Sequence, residues 1–248
     1  MNKLNAIVTG GTRGIGFGLA EALVKRGASV AVTYAGNDAD AKIAESKLNA
    51  QLSNGRKVLV LKGDNSDSEQ IKRLYLRAKD AFGSITVLVN NAGIMPIRSF
   101  DEIRFKDWDD TIGVNLNGAF YWCSLVVQDM KEEGFGRIVN ISSVAARGGG
   151  VIGPHYAASK AGMLGLTRYA ARELGPFGIT VNAIAPAFIE DAGPFLEWSE
   201  EKIDSLKAKV MVPRIGNVGD VVRAFDYLMD SPFVTGVTLD VNGGTFMI

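Results

Sequence analysis

Apolar residues along the chain gather in short, nearly unbroken runs: Leu4–Thr9, Ser29–Tyr34, Lys57–Leu61, Ile85–Asn90, Arg137–Ser142, Ile179–Ile184 and Val237–Val241. Runs this short and rich in valine and isoleucine read as strands buried on both faces. Between them, apolar positions recur at helical spacing. In the first such stretch Ile15, Leu19, Ala22 and Leu23 share one side, and Gly27 follows as a stop signal. Strand–helix alternation along the whole chain predicts a parallel sheet of about seven strands, with right-handed crossovers and helices on both faces. No Pro/Gly/Ser-rich linker or charge run interrupts it, so residues 1–248 are expected to form a single domain. Two stretches break the rhythm. Val144–Gly153 carries Gly148, Gly149 and Gly150 after a strand and reads as a loop. The 187–213 stretch mixes Phe188, Phe195, Trp198 and Leu206 with Glu197, Glu200, Glu201 and Lys202, and reads as an amphipathic helical lid.

Charge narrows the class of partner. The chain has 27 basic and 27 acidic residues, so no overall field draws nucleic acid or an anionic membrane. One cysteine, Cys123, and one histidine, His155, make neither an intrachain disulfide nor a Cys/His metal site, and no metal is expected. No apolar run approaches the ~18 residues that span a bilayer. No basic and apolar leader precedes the first strand. A cytoplasmic protein that binds a small molecule is the expectation.

The first strand–helix junction reads Thr9-Gly10-Gly11-Thr12-Arg13-Gly14-Ile15-Gly16. Glycine lets the backbone turn tightly and approach a pyrophosphate, while the helix start supplies oriented N–H groups. With 29 glycines in the chain, this spacing arises by chance too readily to carry an assignment alone; its place between strand and helix is what gives it weight. The second strand ends Thr33-Tyr34-Ala35-Gly36-Asn37, with no carboxylate before Asp38 to pair with ribose hydroxyls. Arg13 can instead face a 2′-phosphate. NADP(H) is the expected cofactor.

Tyr156 and Lys160 stand four apart in a predicted helix and so share a face. Tyr75 and Lys79 have the same spacing in a polar helix, so spacing is no evidence by itself. Context separates the pairs. Ser142-Ser143 ends a strand whose C-terminal end opens toward the crevice where such sheets bind ligands, and a loop leads from it to Tyr156. A phenol titrates near ~10, so acting near neutrality requires its anion to be favoured by roughly 4 kcal/mol. An adjacent ammonium and a cationic nicotinamide can supply that, while the Ser143 hydroxyl holds a substrate oxygen. His155 lies about 100° round the helix from Tyr156 and is not expected to share the site.

Together these residues resemble the short-chain dehydrogenase/reductase family over the whole chain. The matching series is Thr9–Gly16, Asp64, Asn90-Asn91-Ala92-Gly93, Asn115, Ser143, Tyr156, Lys160 and Pro186. The resemblance implies a Rossmann-type doubly wound sheet and metal-free hydride and proton transfer between NADP(H) and a carbonyl or alcohol. It implies that Tyr156 is the acid/base and that Lys160 lowers its pKa while binding the nicotinamide ribose. Ser143 orients the carbonyl, and Asn115 holds a water in the proton relay. Asn115 lies in Ile112–Gly118, a run poor in helix propensity, where a local helix distortion is expected. Gly10, Thr12, Arg13, Gly14, Ile15, Gly16 and Tyr34 are the implied phosphate and ribose contacts. Asp64 and Asn65 flank adenine, Asn91, Ala92 and Gly93 line the cofactor wall, and Pro186 and the Ile189 backbone reach the carboxamide. Ala187 and Asp191 depart from the family pattern where Gly and Thr are common.

Length and the Tyr34–Asn37 stretch look most like 3-oxoacyl-[acyl-carrier-protein] reductases, which makes 3-oxoacyl thioesters the leading substrate class. Gly134 and Phe177 stand where those enzymes use arginines to dock an acyl carrier protein, and this argues against such docking. Another short-chain alcohol or sugar dehydrogenase, or a non-catalytic NADP(H)-binding protein, are the alternatives. Ala157, Ala158, Ala161, Gly162 and Gly165 give the Tyr156 helix a small-residue surface, and the resemblance implies a homotetramer.

Overall fold

The computed structural model describes residues 3–53, 55–193 and 199–247. The chain runs β1 (Asn5–Val8), α1 (Gly14–Lys25), β2 (Ser29–Tyr34), α2 (Asp38–Asn49), β3 (Val58–Lys62), α3 (Ser68–Phe82) and β4 (Val87–Asn90). It continues with α4 (Phe105–Ile112), a π-helical turn (Gly113–Asn117), α5 (Gly118–Glu133), β5 (Gly136–Ile141), α6 (Ala145–Gly148) and α7 (Pro154–Leu174). After a short 3-10 turn come β6 (Ile179–Pro186), α8 (Glu200–Lys207), α9 (Val218–Asp230) and β7 (Thr238–Val241). All seven expected strands form, their ends falling within two residues of expectation and β2 matching it.

The strands make one parallel sheet in the order β3-β2-β1-β4-β5-β6-β7. Register runs from Ile7 opposite Ala31 and Leu88, through Asn90 opposite Asn140, to Ala185 opposite Asp240. Alternate side chains point to opposite faces of a strand. Ala6, Val8, Val30 and Val32 therefore pack under α1, α2 and α9, while Ile7, Ala31, Leu88 and Ile138 pack under α3, α5 and α7. The strand order reverses between β1 and β4, which opens a crevice at their C-terminal ends.

A buried polar ladder fixes α7 against that crevice. Asn90 Nδ2 donates to Asn140 Oδ1 at 2.9 Å, Asn140 Nδ2 donates to Thr167 Oγ1 at 2.8 Å, and Thr167 donates to the Met163 carbonyl at 2.8 Å. Apart from Asn90 Oδ1, which has no described partner, the ladder's side-chain groups are satisfied inside the core, so it sets helix rotation as well as contact.

The 187–213 stretch holds α8 and rests on a small core of its own, with Leu206 and Ile215 buried beside Phe188, Ile203 and Val210. Phe195, Glu197 and Trp198 of the expected lid lie outside the described residues, as does the Lys202 side chain. No described helix is long and apolar enough to cross a membrane.

The Tyr75–Lys79 pair serves structure. Lys79 Nζ donates to the fully buried carboxylate of Asp129, which also accepts from the Ile85 N–H at 3.0 Å. That joins α3, α5 and the entry to β4; the Tyr75 hydroxyl lies 3.4 Å from Lys79 Nζ, at the edge of the same carboxylate. Asp129→Ala strands a buried N–H and removes the partner of Lys79, and should destabilise the fold by roughly 2–4 kcal/mol. Tyr75→Phe should cost under about 1 kcal/mol. Urea unfolding of the two variants checks this; equal losses would contradict it.

Candidate active site

The glycine loop is held open by its neighbours. Thr9 Oγ1 accepts from the N–H groups of Asn91 (3.0 Å) and Ala92 (2.9 Å), while Asn91 Nδ2 donates to the Thr9 and Gly10 carbonyls at 3.0 and 2.9 Å. The β4 end is thus bolted to the loop after β1. Gly10 and Gly14 take φ of +62° and +53°, which a side chain resists. A Cβ on Gly16 would lie 2.3 Å from the Gly10 carbonyl oxygen, so the first turn of α1 packs directly on the loop.

Three other helix starts are closed by side chains, while α7, entered through Gly153, lacks a side-chain cap as α1 does. Asn37 caps α2, Asp67 caps α3 and Asn217 caps α9, but Arg13 gives α1 no side-chain cap. The first-turn N–H groups of α1 therefore need an outside acceptor. A pyrophosphate fits that need, and Gly10, Thr12, Gly14, Ile15 and Gly16 are the residues that would hold it. Arg13 is exposed and pairs with no described residue.

At the C-terminal ends of β2 and β3, Tyr34 and Lys62 face each other in register. Asp38 accepts from the Tyr34 hydroxyl at 3.0 Å and from Lys62 Nζ at 2.9 Å, so the first carboxylate after β2 is already partnered. Asp64 is exposed and accepts from the N–H and hydroxyl of Ser66, each at 2.8 Å. Asn65, expected beside an adenine, has its side chain committed elsewhere. Its Nδ2 donates to the Val114 carbonyl and its Oδ1 accepts from Trp122 Nε1, both at 2.8 Å.

That contact explains the distorted run around Asn115. The π-helical turn at Gly113–Asn117 frees the Val114 carbonyl from the regular ladder, and Asn65 takes it. The turn aims Asn115 inward, fully buried. Its Oδ1 accepts from the Ile94 N–H at 2.8 Å, and its Nδ2 donates to the Ile94 carbonyl (2.9 Å) and Ser159 Oγ (3.1 Å). A Cβ on Gly93 would stand 3.3 Å from Asn115 Oδ1 and 3.7 Å from Lys160 Nζ. Asn115, the bare backbone of Gly93 and Lys160 therefore meet in one place.

Lys160 is buried on α7. Its Nζ donates to the Ile141 carbonyl at 2.7 Å and lies 5.7 Å from the centre of the Tyr156 ring. Ser142 Oγ donates to the Lys160 carbonyl at 3.0 Å, tying helix to strand end. Burial pushes the Lys160 ammonium down to about 8. Burial also raises the Tyr156 phenol, against a hydrogen bond from Ser143 that lowers it. Ser143 Oγ accepts from the Ala145 N–H at 3.1 Å, which fixes the hydroxyl beside Tyr156. The buried His155 ring turns the other way: Nε2 donates to the Pro96 carbonyl at 3.0 Å.

Past Pro186, the chain crosses back over the glycine loop. Ile189 bridges Gly216, Asp191 Oδ1 accepts from the Val218 N–H at 2.9 Å, and a Cβ on Gly14 would touch Ala192 at 3.2 Å. The Asp191 carboxylate is thus taken up by the start of α9. Sequence reasoning missed the supporting roles of Ser142 and Ser159. Both are small polar residues beside motif positions, but their partners lie far along the chain.

A glycine-lined, uncapped helix start facing a buried Tyr–Lys pair defines the class: a dinucleotide-dependent oxidoreductase. The sequence pattern of the short chain dehydrogenases matches residues 4–201, and the chain belongs to that family, whose members work with a nicotinamide cofactor. Among its relatives, a 3-oxoacyl-[acyl-carrier-protein] reductase of Staphylococcus epidermidis is 38% identical over 100% of both chains. An acetoacetyl-CoA reductase of Rhizobium meliloti is 37% identical, covering 97% of this chain and 98% of its own. An L-rhamnose 1-dehydrogenase (NAD(P)(+)) of Azotobacter vinelandii is 36% identical, covering 97% and 96%.

The lowered Lys160 has a consequence for stability. Between about 8 and the ordinary lysine value of 10.5, the folded chain has released a proton that the unfolded chain keeps. Stability contributed by this group therefore rises with pH across that window. Wild type should gain on Lys160→Met in urea midpoint between those pH values, starting from a deficit at neutral pH. Parallel pH profiles would contradict this.

Proposed function

We propose that the chain is an NADPH-dependent ketone reductase whose leading substrates are 3-oxoacyl thioesters. The observation that carries this reading is the convergence of Ser143, Tyr156, Lys160 and Asn115 around the crevice onto which the glycine loop opens. When bound, the reduced nicotinamide supplies the hydride. The chain does the rest. The Ser143 hydroxyl donates to the ketone oxygen and holds it near the Tyr156 hydroxyl. Tyr156 gives its proton to that oxygen as the alcohol forms. Its own environment raises the phenol, so the phenolate left behind depends on positive charge. The Lys160 ammonium, 5.7 Å from the ring centre, would supply part of it, and an oxidised nicotinamide held beside it would add more. Lys160 also binds the nicotinamide ribose, and Asn115, clamped on Ile94, holds the relay water that returns the proton.

Arg13 and the partnered Asp38 support NADPH over NADH. An exposed guanidinium, unpaired among the described residues, suits a 2′-phosphate, and Asp38 is already met by Lys62 and Tyr34. Asp64 flanks the adenine together with the Asn65 backbone. Tyr34 borders the adenosine ribose, Asn91, Ala92 and Gly93 form the cofactor wall, and Pro186 and the Ile189 backbone approach the carboxamide. Of the proposed substrate lid at 187–213, the described parts are 187–193 and α8 with its flanks, 199–213.

Two of the three relatives above carry names for reduction of a 3-oxoacyl thioester, one on a carrier protein and one on coenzyme A. Gly134 ends α5 in the left-handed region, and the Lys131 ammonium sits over the Phe177 ring at 4.6 Å. This surface favours a free thioester over a docked acyl carrier protein. The rhamnose dehydrogenase relative supports the second reading, a sugar dehydrogenase with the same machinery. A panel of acetoacetyl-CoA, 3-oxoacyl carrier protein and sugars with NADPH and NADH separates the readings. Fastest turnover is expected with acetoacetyl-CoA and NADPH. Tyr156→Phe should lower that rate by two or more orders of magnitude, roughly the scale of acid–base catalysis, with NADPH affinity retained. Equal use of NADH, or near-normal turnover in Tyr156→Phe, would contradict the reading.

Exposed apolar surface supports the homotetramer that the family resemblance implies. Phe105 on α4, Phe120 on α5 and Tyr169 on α7 are 93%, 54% and 70% exposed, and Phe233 stands out near β7. Gly162 packs on Leu116 of its own chain, but Gly165 faces open space. Such surfaces mark association sites, and a homotetramer covers them. Light scattering should give four times the chain mass; a monomer at micromolar concentration would contradict this.

A further inference from the structure

Ser143 is held by a weak piece of structure. Residues Ala145–Gly148 form α6, a helical turn of only 4 residues, followed by Gly149 and Gly150 with φ of +76° and +71°. An isolated turn has little stability of its own, because nucleating a helix fixes several residues for few hydrogen bonds. Yet this turn sets the Ser143 hydroxyl, through the Ala145 N–H on Oγ and the Ala146 N–H on the Ser143 carbonyl.

The turn has one polar side chain, Arg147. Its Nη1 donates to Asp240 Oδ2 at 2.6 Å, with the side chains 16% and 22% exposed. Asp240 lies on β7, opposite Ala185 in register, beside the β6 end whose Pro186 carbonyl accepts from Val144. The pair is thus a strut from the rigid sheet to the turn. Asp240 Oδ1 is buried without a described partner, so the guanidinium is this carboxylate's main compensation. The chain after β7 continues the strut: Gly148 leaves room for the Phe246 ring, and the Gly243 carbonyl accepts from Met211 at 2.8 Å and Val212 at 3.2 Å.

We propose that Arg147 and Asp240 are positioning residues for Ser143: their ion pair holds the turn after β5 in the register that aims the Ser143 hydroxyl beside Tyr156. This rests on the reading of Ser143 as the donor to the ketone oxygen. Among the described residues the pair makes no hydrogen bond or ion pair to Tyr156 or Lys160, so it acts on kcat through Ser143 and leaves cofactor affinity alone. Displacing a reacting group by about an ångström costs on the order of a hundredfold in rate, and a loosened turn should cost about a tenth to all of that.

The test compares Arg147→Met, Asp240→Asn, Arg147→Lys, Ser143→Ala and the Ser143→Ala/Arg147→Met double variant. Arg147→Met and Asp240→Asn should lower kcat for acetoacetyl-CoA with unchanged NADPH affinity, and Arg147→Lys should keep most of the rate. In the Ser143→Ala background, Arg147→Met should cost nothing further, whereas a general structural role would multiply the losses. Amide hydrogen exchange, which needs no turnover, should speed up at 145–148 in Arg147→Met and recover in Arg147→Lys. Unchanged exchange there, a normal kcat beside a crippled Ser143→Ala, or multiplicative losses would each overturn the proposal. Normal turnover in Ser143→Ala would instead overturn the functional reading, leaving the exchange result to judge the strut.

Discussion

A lysine ammonium out of water needs a strong acceptor, and Lys160 finds one in the Ile141 carbonyl, 2.7 Å away at the end of a central strand. The rest of the site depends on that contact. It requires β5 to end where its register with β4 and β6 places it, and α7 to lie at one rotation over the strand ends. The Asn90–Asn140–Thr167 ladder sets the rotation, and Ser142 on the Lys160 carbonyl pins the height. Burial disfavours the charge it holds, so the fold gives up stability at neutral pH to keep a cation beside Tyr156.

The same economy runs through the cofactor end. Three helices close their N-termini with Asn37, Asp67 and Asn217, while α1 stays open behind Arg13. Its exposed dipole end faces the loop that Thr9 and Asn91 hold in shape. The π-helical turn is a further local departure from regular structure, stabilised from outside by Asn65 and Trp122. Irregular backbone therefore gathers around one crevice and is braced by side chains from neighbouring elements.

What was legible in the sequence follows from the range of each interaction. Strands such as Ser29–Tyr34 were readable because burial on both faces leaves a continuous apolar run. The motif residues were readable because strand ends and helix starts adjoin along the chain. Tyr75–Lys79 and Tyr156–Lys160 show the limit. Their spacing is identical, but one lysine meets Asp129, 50 residues away, and the other meets a strand carbonyl. The side-chain partners of Asn65, Val114 and Trp122, left no trace in the sequence because they lie far off along the chain. Arg147 and Asp240, 93 residues apart, left no local signal at all.

Tyr156 becomes a usable acid at neutral pH only when positive charge joins it, since burial alone raises its phenol. An NMR titration of protein carrying 13C at the tyrosine ζ position, with the signal assigned by its loss in Tyr156→Phe, measures this directly. Without cofactor the Tyr156 signal should titrate above the ordinary tyrosine value, and with NADP+ bound its midpoint should fall by several pH units toward neutrality. A midpoint that does not move when NADP+ binds would contradict the claim.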